Sequence, residues 1–228
     1  MELHPVGVSG VLAVLGDAIS EETGARVAAL REAVLRAQIP GVTESVPAYA
    51  SLLVRYDPFV TDYEALCRQL KALCGALSAS AQETGRTVGI PVCYGGAYGE
   101  DLPFVAQHAG LSEQEVIALH SAAPYRIYML GFLPGFPYLG GLDERLFTPR
   151  LASPRTKIPA GSVGIGGQQT GIYPMESPGG WQLIGRTPLR LFVPGRPLPY
   201  AAGDLIRFVP IGSDEFEAIA ARERGNRA

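Results

Sequence analysis

The chain has 228 residues, of which 47% are hydrophobic, and its 22 acidic and 19 basic side chains leave a net charge of −3. That length has room for one large or two small domains with a sizeable core. The mild acidity argues against nucleic acid as the principal ligand, because a face that neutralises phosphates makes a domain basic. Three cysteines (Cys67, Cys74, Cys93) with no CxxC pair exclude a disulfide scaffold and a cysteine-type zinc site, and fit a reducing compartment.

The apolar stretch at residues 6–15 is interrupted by Gly7, Ser9 and Gly10 and follows no basic segment. It is shorter than the roughly 20 residues of a bilayer span, so a soluble cytoplasmic protein is expected. Residues 8–15, rich in β-branched and aliphatic side chains, predict a strand. Ser20 is a candidate N-cap, with Glu21 and Glu22 near the positive end of the helix dipole. Val27, Leu30 and Val34 then give the helix one apolar stripe, and Pro40-Gly41 ends it. Strands follow at 42–46 and 51–56, around Pro47. Thr61 and Glu64 predict a capping box for a helix with Tyr63, Leu66, Leu70, Leu73 and Leu77 on one face. Cys67 and Cys74, seven apart on its apolar side, read as packing residues. With a strand at 88–94 the order is β-α-β-β-α-β, the split βαβ arrangement of ferredoxin-like domains. A first domain is set at residues 1–85.

Two short helices come next. Asp101 caps one at 102–109, closed by Gly110, and Ser112 with Glu115 form a capping box for another that ends near His120. After Pro124 the pattern changes. Residues 125–132, 161–165, 181–185, 189–193 and 204–209 are short strand candidates separated by Gly/Pro turns, which predicts a closed or partly closed β-barrel. A short charged helix follows Asp214. Composition marks the same division: 24 of the 47 glycines and prolines fall within residues 131–200, a window carrying +4 against −7 elsewhere. The expected fold class is therefore α+β, a ferredoxin-like domain followed by a barrel domain at 86–228.

Several chemistries are missing. No segment supplies a Walker loop, and the run from Gly161 to Gly171 fails the dinucleotide spacing because position 169 is Gln. It leads into no predicted helix, so a turn or bulge between strands, where a Cβ would clash, is preferred to a ligand loop. His4, His108 and His120 have no metal-ligand spacing, and the last two sit at predicted helix ends, where a cation suits the dipole. There is no Gly-x-Ser-x-Gly elbow, and Ser162 and Ser177 have no local base. A self-contained Ser or Cys hydrolase does not fit; an enzyme would need parts from elsewhere.

The residues that do carry a signal lie in the Gly/Pro-rich window. A strand from Tyr125 runs into Pro134-Gly135-Phe136-Pro137-Tyr138, a stiff loop presenting two aromatics either to a preformed pocket or merely to one end of the barrel. Arg155 and Lys157 share a face if extended, and a guanidinium grips a carboxylate bidentately. Tyr173, Glu176, Trp181, Gln168 and Gln169 follow. Brought together, aromatic walls, amides, two cations and one carboxylate would suit a small polar amide-bearing acid.

The ordered motif series from Gly131-Phe-Leu-Pro-Gly-Phe-Pro-Tyr-Leu-Gly-Gly-Leu through Thr148-Pro-Arg, Pro154-Arg-Thr-Lys-Ile-Pro-Ala-Gly-Ser-Val-Gly-Ile and Gln169-Thr-Gly-Ile-Tyr-Pro to Glu176-Ser-Pro-Gly-Gly-Trp-Gln-Leu-Ile-Gly-Arg-Thr-Pro closely resembles the KipI/PxpB family. The family is also called allophanate hydrolase subunit 1. Tyr49-Ala-Ser-Leu-Leu-Val and Val92-Cys-Tyr-Gly-Gly extend the likeness over nearly the whole chain. The resemblance implies a small α/β domain followed by a cyclophilin-like barrel. It also implies a 5-oxoprolinase assembly in which such a chain works with two others, a C component of related fold and an A component. That assembly opens 5-oxo-L-proline to L-glutamate, with ATP as its cosubstrate. On that reading Arg155 or Lys157 meets the substrate carboxylate or developing oxyanion, and Gln169 and Tyr173 orient the amide. Phe136, Tyr138 and Trp181 form walls, and Glu176 is either a general base or a salt-bridge partner. Other family members imply two alternatives: inhibition of a sensor histidine kinase through an exposed apolar patch, and one half of a carboxyltransferase acting on a urea-like amide with a biotinylated partner.

Overall fold

The structure, a computed structural model, describes residues 1–77 and 85–225. The chain divides into two compact units, residues 1–83 and 84–228.

The first unit contains β1 (Glu2–Pro5), β2 (Gly10–Val14), α1 (Glu21–Ala37), β3 (Val42–Pro47), β4 (Ser51–Tyr56) and α2 (Tyr63–Gly75). Its sheet is antiparallel in the order β1-β2-β4-β3. Alternate residues of β2 and β4, among them Val11, Ala13, Leu52 and Val54, face one side and are buried with Val27, Leu30 and Val34 of α1 and Leu66 and Leu70 of α2. Ser20 caps α1 as expected, its hydroxyl accepting from the Thr23 N–H at 3.1 Å. The cap of α2 is Asp62 rather than Thr61: its carboxylate accepts from the Ala65 N–H at 2.6 Å, placing an anion at the positive end of the dipole. The split βαβ order needs residues 88–94 as its last strand, and they are not in this sheet. The edge beside β2 is occupied by β1, which the sequence pattern does not announce.

The second unit comprises β5 (Thr87–Tyr94), α3 (Leu102–Ala109), α4 (Glu113–Ala122), β6 (Tyr125–Leu130), β7 (Pro137–Gly140), β8 (Arg155–Ile158), β9 (Ser162–Gly166), β10 (Gln169–Ile172), β11 (Ser177–Gly179), β12 (Gln182–Arg186), β13 (Leu205–Pro210) and α5 (Ser213–Gly225). Seven strands close into a barrel in the order β10-β7-β6-β13-β5-β12-β9, and β8 pairs with β11 in a separate ribbon. All ladders are antiparallel except β13–β5, which runs parallel and takes the strand that local order assigns to the first unit. Ile90, Tyr125, Ile127, Leu139, Val163, Ile165, Ile206 and Phe208 contribute to its core. Residues 189–193 are not a strand; Pro188 and Pro194 flank them, the Leu189 N–H donates to Thr187 Oγ1, and the barrel closes β9 directly on β10. The glycine-rich run is the tight β9–β10 hairpin, with Gly167 at φ 64. A Cβ at Gly166 would fall inside the Trp181 indole. No helix among the described residues is long and apolar enough to cross a membrane.

Candidate functional site: an aromatic cluster and its cations

The turn after β6 is fixed by Gly131 N–H donating to Phe136 O (3.1 Å), Phe136 N–H donating to Leu133 O (3.0 Å) and the Tyr200 hydroxyl donating to Gly135 O (2.9 Å). It drives Phe136 into a buried cluster with Tyr173, Trp181, Ile158 and Leu183, with Tyr138 half-buried against it. The Phe136 ring lies 5.1 Å from Tyr138, 5.4 Å from Tyr173 and 5.6 Å from Trp181, at interplanar angles of 62–78°. Such edge-to-face pairs contribute about 0.5–1.5 kcal/mol each beyond burial. Phe136 and Tyr173 thus back the cluster, while Tyr138 reaches solvent. Burial pushes the Tyr173 hydroxyl up to about 12, against the lowering influence of Arg150, the Trp181 backbone and Arg155. Burial raises Tyr138 too, and Arg150 opposes it. Both remain neutral donors at neutral pH.

Arg150 is a cation that the sequence shows only as charge. Its guanidinium lies 5.8 Å from the centroid of the Trp181 ring, on the exposed side of the cluster. Gln182 Nε2 donates to Pro149 O at 2.9 Å and Leu151 N–H donates to Gly180 O at 2.7 Å, pinning residues 149–151 beside the segment that carries Trp181. Sequence spacing holds no sign of this, because the contacts span some thirty residues of chain.

Arg155 has a different setting. Its Nε pairs with Glu100 at 3.0 Å, its Nη2 donates to Asp101 at 2.8 Å, and its Nη1 donates to Trp181 O at 3.3 Å. Asp101 makes no capping bond to α3, contrary to the sequence expectation. It behaves as a strand partner instead: its N–H donates to Leu183 O (2.9 Å), and its carboxylate accepts the Leu183 N–H (2.6 Å). Arg155 and Asp101 together clamp residues 181–183. Lys157 and Glu176 pair with each other at 3.1 Å, with side chains 70% and 57% exposed. No hydrogen bond or ring contact among the described residues joins that pair to the aromatic cluster, or joins Gln169 to Tyr173. Gln169 is half-buried at the start of β10.

His120, expected as a cation at a helix end, is fully buried, and burial holds its pKa down at about 3, so the ring is neutral. Thr170 Oγ1 donates to Gly164 O at 3.0 Å and therefore accepts from His120 Nε2–H at 2.8 Å. His120 Nδ1 must then accept from the Tyr94 hydroxyl, also at 2.8 Å. Among the described residues no group of three His, Cys, Asp or Glu side chains is arranged to hold a metal ion.

Residues 1–202 match the family model described as Carboxyltransferase domain, subdomain C and D. The chain belongs to that carboxyltransferase-domain family. Its resemblance to the KipI/PxpB group is borne out by the B subunit of 5-oxoprolinase from Bacillus subtilis, 41% identical over 95% of both chains. A solved structure, TTHA0988, is 44% identical with a TM-score of 0.76, covering 90% of this chain and 40% of that one. The Kluyveromyces lactis urea amidolyase superposes with a TM-score of 0.86 over 97% of this chain and 15% of its own, at 22% identity, a likeness of fold. This family member is thus equivalent in length to one curated relative and to a segment of much longer chains.

Proposed function

We propose that the chain is the B subunit of a 5-oxoprolinase that opens 5-oxo-L-proline to L-glutamate with ATP, together with the A and C subunits of that enzyme. The observation that carries this reading is the 41% identity to a 5-oxoprolinase B subunit along 95% of both chains. The lactam needs activation. Transfer of the γ-phosphoryl group of ATP to the ring carbonyl oxygen releases ADP, and water then adds at that carbon. The ring C–N bond breaks, the nitrogen takes a proton, and a second water displaces phosphate to leave the new carboxylate. ATP is held by the assembled complex, this chain having no Walker loop.

Within the shared site Arg150 takes the substrate carboxylate over Trp181, and Tyr138 supplies the accessible wall that Phe136, Tyr173 and the buried Trp181 back. Lys157 meets the developing oxyanion, Glu176 moves the proton of the attacking water, and Gln169 orients the amide. Arg155 is a positioning residue, since its guanidinium is engaged by Glu100, Asp101 and the Trp181 carbonyl. Coexpression with the A and C subunits tests the reading: glutamate should form from 5-oxoproline only with ATP and only with this chain present. An intact three-component complex that forms none refutes it. In the active complex Lys157→Ala should lower turnover by about tenfold or more without dissociating the complex; unchanged turnover removes Lys157 from its role.

The family description favours one further reading, a carboxyltransferase half acting on a urea-like amide. Transfer of labelled carboxylate from a biotinylated partner to such an amide, without glutamate formation from 5-oxoproline, would select it.

A further inference from the structure

Between α5 and residues 186–192 of the same unit lies a cavity of about 500 Å³, in the size range of small-molecule sites. Three arginines (Arg186, Arg190, Arg224) and three glutamates (Glu176, Glu217, Glu223) line it. Their formal charges cancel, but their hydrogen-bonding capacities do not. Each glutamate is already engaged: Glu176 pairs with Lys157 at 3.1 Å, Glu217 accepts from the Tyr98 hydroxyl at 3.3 Å, and Glu223 accepts from the Arg190 backbone N–H at 3.3 Å. Arg186 uses only its Nε, donating to Ala160 O at 3.0 Å. Among the described residues nothing accepts a hydrogen bond from the side chain of Arg190 or Arg224. The cavity therefore offers an excess of guanidinium donors, the groups best shaped to grip carboxylate or phosphate.

Its apolar surface lies alongside. The rings of Tyr98 and Phe216 are 4.4 Å apart, and Phe192 also lines the space. Five of its sixteen lining residues (Phe216, Glu217, Ala220, Glu223, Arg224) come from α5, beyond residue 202 where the family match ends. We propose that this cavity binds a small anion, carboxylate or phosphate, carried on a flat or apolar body. The inference goes beyond the 5-oxoprolinase reading and stands whether or not that reading holds.

Calorimetric titration of the full chain with benzoate, AMP and inorganic phosphate, each alone, tests it. Benzoate or AMP should bind, more tightly than phosphate, and an Arg186→Gln/Arg190→Gln double variant should weaken that binding by roughly tenfold or more. Which of the two binds identifies carboxylate or phosphate as the anion, and Phe192→Ala should erase the preference over phosphate. If the double variant fails to fold, Arg190→Gln alone, whose side chain bonds no described residue, should still weaken binding. No heat with any of the three, affinity unchanged in the variants, or phosphate binding as tightly as both larger ligands overturns the proposal.

Discussion

Phe132 has φ 65, and its turn is closed by Leu133 N–H donating to Gly131 O at 2.7 Å. A three-residue γ-turn of this hand centred on a bulky side chain costs on the order of 1–3 kcal/mol. Burial gives little back, because the residue is 61% exposed and touches the cluster only edge-on, 5.6 Å from Phe136. Glycine adopts this conformation without penalty and alanine does not. Phe132→Gly should therefore melt above Phe132→Ala by about 2–4 °C, a difference of roughly 1 kcal/mol in a protein of this size; alanine melting at or above glycine contradicts the strain. At this scale the sequence discloses residue types better than partners. Phe136 and Tyr138 stand out on one stiff loop and Tyr173 and Trp181 on a later segment, and the four rings do meet. The cations sort differently from their spacing, because Arg155 lies beside Lys157 in sequence yet bonds Glu100 and Asp101, whereas Arg150 reaches Trp181 through loop contacts that spacing does not encode.

The buried histidine links three elements, α4 through His120, β5 through Tyr94 and β10 through Thr170. Its pKa is depressed from 6.5 to about 3 by burial, so between those values the unfolded chain binds more protons than the folded one. The associated stability is fully present above about pH 6.5 and is lost as pH falls toward 3, by up to about 1.4 kcal/mol per pH unit. Glu115 and Asp143, whose carboxyls are also held low, add their loss only at the acidic end. In urea unfolding at pH 7, 5 and 4, His120→Gln should be weaker than the parent at pH 7 and show a flatter decline from pH 7 to 5. An equal decline in both proteins means that His120 does not carry it. Elements with a local signature are legible: Ser20 caps α1, and the Ser112–Glu115 capping box opens α4. Strands of three or four residues such as β7, β8, β10 and β11 lack the length to show a period. The place of β5 escapes a local reading because its parallel partner, β13, lies near the other end of the chain.

At the scale of the whole molecule, the shift from apolar-periodic helices to Gly/Pro-spaced strands announces two kinds of architecture, and the contacts separate into two units. Strand spacing predicts the barrel, which closes with seven strands, but not its strand order, since closure is a property of pairing between distant segments. The barrel unit presents an aromatic cluster with the Arg150 guanidinium over Trp181, the feature to which the proposed 5-oxoprolinase reading assigns the substrate carboxylate. Steady-state kinetics of the assembled three-component complex carrying Arg150→Ala tests that assignment most directly. The Michaelis constant for 5-oxoproline should rise by roughly tenfold or more with the complex intact, the scale of a lost charged hydrogen bond, and Arg150→Lys should recover part of it. A Michaelis constant unchanged by Arg150→Ala would contradict the assignment of the substrate carboxylate to this guanidinium.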